Sequence, residues 1–163
     1  MGAGILIVVV ALAIGIAIGL SQHKKNMALM EDGKLIKRDA SFMESAEIFT
    51  LQNADFPTVI AALKETSFEG AGVAIKGSAQ EGAVIFQAGS SWAAQLVPIK
   101  SDPGTYSYMF TFTKWQTYRG MPQNFTEMNI TLTALEKMFL KLDPNTKVES
   151  RKNKTKTSPH FFS

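Results

Sequence analysis

Residues 1–22 carry no charged side chain, and from Ala3 to Leu20 (AGILIVVVALAIGIAIGL) almost every position is apolar until His23-Lys24-Lys25 closes the run. As one helix such a segment is about 27–33 Å long, which matches the hydrocarbon core of a bilayer. A helix apolar on all sides needs either lipid or a much larger protein around it, so these residues are withdrawn from any small water-soluble fold. The roughly 140 residues that follow suffice for one domain with a core of its own.

A cleaved secretory signal competes with that reading. It asks for a basic start, an apolar stretch of about 7–15 residues and a small-x-small cleavage site. Met1-Gly2 supplies no Lys or Arg, the run is longer, and Gly19-Leu20-Ser21-Gln22-His23 makes a poor cleavage site. A retained transmembrane anchor over residues 1–22 is therefore expected. Basic residues stay on the cytoplasmic side of a membrane helix. Here Lys24, Lys25, Lys34, Lys37 and Arg38 all follow it. The chain reads as a single-pass protein of the cell membrane, N-terminus out and domain in the cytoplasm, with Lys24 and Lys25 against membrane lipid. Ala11, Gly15 and Gly19 fall four apart, a spacing that lets two membrane helices approach closely and form an anchor-mediated homodimer.

Net charge is +3 and uneven. Lys147, Arg151, Lys152, Lys154 and Lys156 stand against Glu149 in residues 145–163, which leaves the rest close to neutral. That balance offers no basic surface for nucleic acid. The stretch has few apolar residues and reads as a disordered basic tail whose Lys152, Lys154 and Lys156 meet anionic lipid. The chain has no cysteine, which removes disulfides, thiolate metal sites and a Cys nucleophile from consideration.

Between anchor and tail, residues 23–44 are rich in mixed charge and read as a juxtamembrane connector with a short helical continuation. The domain itself is expected over residues 45–144. Glu47, Phe49 and Leu51 alternate with Ile48, Thr50 and Gln52 in a first strand. Asp55 is placed to cap a helix, with Pro57 in its first turn and Phe56, Val59, Ile60 and Leu63 along one stripe. Short runs with a period of two follow at 72–77, 83–88 and 91–99, separated by turn residues. After Asp102-Pro103-Gly104 comes the clearest strand, with Tyr106, Tyr108, Phe110 and Phe112 on one face and Ser107, Met109, Thr111 and Thr113 on the other. Asn124 with Glu127 suggests a capping box for a long helix that Asp143-Pro144 ends.

The order β-α-β-β-β-β-α predicts an α+β two-layer domain, an antiparallel sheet with helices on one face. It is similar to the compact helix-grip and TATA-binding-protein-like folds, in which a curved sheet wraps a C-terminal helix. That similarity is one of topology and implies no activity.

Few residues point to chemistry. His23 and His160 both lie outside the domain, so neither a His triad nor a His metal site is expected. Glu31/Asp32 and Glu65/Glu69 sit in connectors or turns, where solvated charge is the ordinary role. No phosphate-binding glycine loop precedes a helix. Catalytic residues, cofactors and metal are all expected to be absent. Trp92, Trp115 and Tyr118 belong to an aromatic cluster on two neighbouring strands, and their polar handles suit them to a rim that binds a ligand or partner. The expected function is a non-enzymatic binding or scaffolding module at the membrane surface, with a protein partner the residues do not identify. The alternative is a carrier with a lipid-like ligand between the sheet and the C-terminal helix, lined by Phe110, Phe112, Leu132 and Leu135. A third reading, a membrane-bound hydrolase or transferase, would need a buried cluster of carboxylates or lysines without structural partners.

Overall fold

The computed structural model describes Ser21, residues 23–153 and the backbone of His160–Phe161. The anchor expected over 1–22 lies outside these residues, save Ser21. So do Lys154 and Lys156. Among the described residues no helix is long and apolar enough to cross a membrane. The chain divides into two compact units, the first ending at Ile36 and the second beginning at Lys37.

In the first unit residues 23–31 are helical, and both Lys24 and Lys25 are exposed. The helix ends in a Schellman arrangement: the Gly33 N–H donates to the Met30 carbonyl at 2.9 Å, and that of Lys34 to the Leu29 carbonyl at 2.8 Å. The connector's expected helical continuation is thus present and has a defined end.

The second unit opens with a 3-10 helix, Ala40–Glu44, capped by the Asp39 carboxylate. The first strand, β1 (Ser45–Leu51), leads into helix α1 (Phe56–Glu65). Asp55 caps that helix, accepting from the Thr58 N–H at 3.0 Å, and Pro57 occupies the first turn where no partner is lost. A meander follows: β2 (Ala74–Ser78), β3 (Ala83–Ala88), β4 (Trp92–Ile99) and β5 (Tyr106–Tyr118). After the two-residue strand β6 (Met121–Pro122) comes helix α2 (Phe125–Leu142), then β7 (Lys147–Lys152) and β8 (His160–Phe161). The main sheet is antiparallel in the order β2-β3-β4-β5-β1-β7, with β6 and β8 both paired to β5. The chain is α+β, as expected.

Alternation along β5 decides where the core lies. Tyr108, Phe110 and Phe112 are buried on one face, and both helices pack there. From α2, Phe139 stacks on Phe49 of β1, with ring centroids 4.3 Å apart, and lies 5.7 Å from Tyr108. From α1, Phe56 stacks on Tyr108 at 5.8 Å. The Tyr108 hydroxyl donates to the Ala54 carbonyl at 2.5 Å, so this large ring is buried without an orphan polar atom. Burial raises its pKa above the ordinary tyrosine value.

Two local expectations change. Asn124 stands at the head of α2 in the left-handed region (φ 60°) and its side chain makes no capping bond. The chain enters α2 directly from the short strand β6, and Asn is a residue that tolerates that conformation. Residues 147–152, expected as part of a disordered tail, instead form β7, paired with β1 from Ser45↔Lys152 to Thr50↔Lys147. All six are exposed, and such charged residues are what a sheet edge needs to resist further pairing.

The end of α2 is tied to the sheet by Asp143. Its carboxylate accepts from the Gln52 and Asn145 backbone N–H groups, both at 2.9 Å, and these bonds hold its pKa below the usual carboxylate range.

Candidate functional site

The three aromatic residues expected at a binding rim are separated by the fold. Trp92 is 1 % exposed and Trp115 is 7 % exposed; both indoles lie in the core. A break in register explains Trp115. Ala94 pairs with Phe112 while Ala93 pairs with Lys114, so Thr113 is an extra residue on β5. The bulge reverses the inside-outside parity of the strand and brings Trp115 opposite Trp92 on the helix-covered face. Tyr118, 59 % exposed, is the one at the surface.

Side chains of the sheet and of α2 meet in one buried apolar cluster. Phe110, Phe112, Leu132 and Leu135 are fully buried, with edge-to-face contacts such as Phe110–Phe112 at 5.0 Å. An opening lies instead beneath the other helix. A cleft of about 320 Å³ runs between the C-terminal half of α1 and the β2–β3 hairpin, near the lower limit of ligand-sized pockets. Leu63 and Val84 are buried in its floor, Ile60 and Ile75 are half-buried walls, and Lys64 and Lys76 are exposed. Neither lysine makes an ion pair among the described residues. The cleft therefore combines an apolar floor with two free cations.

Sequence patterning gives little access to this site, because periodicity assigns Ile60, Leu63, Ile75 and Val84 to a helix and two strands without showing that α1 lies over the β2–β3 hairpin. The run expected at 72–77 ends on Gly77, but the structure places this residue inside β2 (Ala74–Ser78), and an interior strand glycine marks a close backbone approach. Here it has a φ of +129°, and a Cβ on it would stand 2.3 Å from the Ala83 carbonyl oxygen.

A second constellation lies where α2 meets β1. The Arg38 guanidinium donates to the Glu136 carboxylate and, at 3.1 Å, to Oδ1 of Asn129, which also accepts from the Thr133 hydroxyl at 3.2 Å. Glu47 is buried nearby on β1, with a hydrogen bond from Ser150. Its pKa is raised, chiefly by desolvation and further by the Glu136 charge, against the opposing pull of Ser150 and Arg38. These groups satisfy one another, so the cluster reads as a clasp between the start of the unit and α2. No group of three His, Cys, Asp or Glu side chains among the described residues is placed to hold a metal.

Glu47 gives a signed pH prediction. A carboxyl whose folded pKa is raised binds protons more readily in the folded chain, so it favours folding below its unfolded pKa of about 4.5. That contribution is lost as the pH rises to and past the folded value. Glu47→Gln is therefore expected to raise the melting temperature at pH 7 more than at pH 4, measured by thermal denaturation at both. An equal shift at the two values would count against a desolvated carboxylate.

Compared with known proteins, the chain matches no protein-family model, and no curated protein or solved structure shows significant similarity to it.

Proposed function

We propose that the chain is a single-pass, membrane-anchored binding module without enzymatic activity. Its α+β domain would take an amphipathic anion in the cleft between α1 and the β2–β3 hairpin. The ligand is a small apolar chain ending in a carboxylate or phosphate. The observation that carries this reading is the pairing of an apolar floor, Leu63 and Val84, with the unpaired cations Lys64 and Lys76. Apolar burial would supply most of the affinity, and the lysines would select the charged head. The β-α-β-β-β-β-α order is similar to helix-grip and TATA-binding-protein-like folds, here with the open space under the first helix. The uncharged run at residues 1–22 supports the anchor and the placement of the domain at a membrane surface, where such ligands are concentrated.

A photoactivatable decanoate and a decyl phosphate serve as probes, applied to the full chain held in a bilayer disc. Labelling is expected within residues 60–66 and 75–84. The double substitution Lys64→Glu/Lys76→Glu is expected to lower it by about tenfold or more, since two attractive charges become repulsive. Ile60→Trp, which fills the cleft from its wall, should abolish it while the thermal transition is retained. Labelling spread evenly over the domain, or unchanged in the charge-reversed variant, would sink the reading.

A further inference from the structure

Strand β5 outruns its neighbours. Its pairing with β1 ends at Thr111 and that with β4 at Trp115, yet the strand continues to Tyr118. Beyond Trp115 it pairs with β6, turning through Arg119 and Gly120, both at positive φ as a two-residue hairpin requires. Its base is fixed: the Gln116 N–H donates to the Ser91 carbonyl at 3.0 Å, and the Gln123 N–H to the Gln116 carbonyl at 2.8 Å. The tip is a braced arm.

What the arm displays is unusual for a solvated turn. Tyr118 and Met121 face one another across the hairpin, and Met121 at 68 % is even more exposed than Tyr118. The Arg119 guanidinium lies 5.3 Å from the centre of the Tyr118 ring. From Pro103 to Thr126 the chain contains Lys114 and Arg119 and no acidic residue. Parallel pairing sets the backbone of His160–Phe161 beside Gln116–Thr117.

We propose that the β5–β6 hairpin docks on a bilayer surface, with Tyr118 and Met121 at headgroup depth and Arg119 against anionic lipid phosphates. Tyrosine favours that depth because its ring is apolar and its hydroxyl is polar. An arginine beside it gains from the negative surface potential, and the acid-free stretch behind it keeps that attraction from being cancelled. The ligand cleft lies at the β2–β3 edge of the sheet, so this surface is separate from it. The inference rests on the membrane-anchored reading for its supply of bilayer, and the test keeps the two apart.

An environment-sensitive fluorophore is placed through Gln123→Cys, beside the tip, or through Glu81→Cys in the β2–β3 turn; the chain has no other cysteine. The full chain is mixed with phosphatidylcholine vesicles, with and without about one part in three phosphatidylserine, carrying a headgroup quencher. Flotation with the vesicles reports the anchor, and quenching at 123 reports the hairpin. Quenching is expected at 123 with phosphatidylserine and not at 81. Arg119→Glu is expected to lower the ratio of docked to free hairpin by about tenfold. Tyr118→Ser/Met121→Ser should abolish docking with flotation unchanged. Equal quenching at 81, persistence without phosphatidylserine, survival in these variants, or quenching that needs an added protein each overturns the proposal. A chain that fails to float yet is quenched at 123 loses its anchor and keeps its hairpin site.

Discussion

Phe139→Ala is expected to cost about 3–5 kcal/mol of folding stability, the range for removing a buried aromatic side chain. Phe139 is fully buried on α2, stacked on Phe49 at 4.3 Å and close to Tyr108 at 5.7 Å. It is the point at which the helix grips two adjacent central strands, so the cavity left behind is walled by sheet backbone that cannot collapse. A domain of this size has about 5–15 kcal/mol in all, so the melting temperature should fall by about 10 °C or more. Leu140→Ala, one residue along the same helix but exposed, is the control and should stay within about 0.5 kcal/mol. A Phe49→Ala/Phe139→Ala cycle should reveal a coupling of about 1 kcal/mol, beyond simple area loss. Similar melting temperatures for Phe139→Ala and Leu140→Ala would mean that α2 does not anchor the core.

Much of this core is visible in the sequence, because alternation and helical stripe are one-dimensional signals. Tyr108, Phe110 and Phe112 fall two apart, and Met128, Leu132, Leu135 and Phe139 fall three or four apart. All seven are buried. What a periodicity cannot carry is a change of its own phase. The extra residue Thr113 reverses the alternation within one strand, and nothing local marks it. Trp115 is interior for that reason alone. Strand β7 was hidden by the opposite cause. Its sequence KVESRK has one apolar residue, and its strand character comes from the free edge of β1, a tertiary partner.

Polar burial was equally illegible. Asn129 and Thr133 on α2 look like solvent-facing residues, yet both are buried with Arg38, some 90 positions earlier, supplying a partner. The clasp exists only once the start of the unit is laid against the helix. The same holds for the cleft: Lys64 and Lys76 are each ordinary surface lysines, and only the fold sets them over one apolar floor. The hairpin tip is a middle case. Tyr118 was visible as an aromatic with a polar handle, but its partner Met121 and the overhang of β5 follow from the pairing.

Gly77→Ala is expected to open the cleft's outer wall while leaving the rest of the domain folded. An added Cβ would lie 2.3 Å from the Ala83 carbonyl oxygen and 2.9 Å from the Val84 Cα, both backbone atoms of β3 that no rotamer change can move aside. The φ of +129° adds backbone strain, so the local cost is about 1–3 kcal/mol or more. Strand β2 is the sheet edge paired only with β3 among the described residues, and few core contacts resist its departure. The effect should therefore appear as faster amide exchange over residues 74–78 and 83–85, with the α2 amides still protected. Capture of the decanoate probe should fall about tenfold, because Ile75 and Lys76 leave with the strand. Gly82→Asn separates sterics from conformation. Gly82 also has a positive φ, +64°, but nothing lies within 4 Å of its Cβ position, and Asn accepts that region. It should retain both exchange protection and labelling. Should Gly77→Ala keep its amides protected and its labelling intact, the close approach of β2 and β3 is not what holds the cleft in shape.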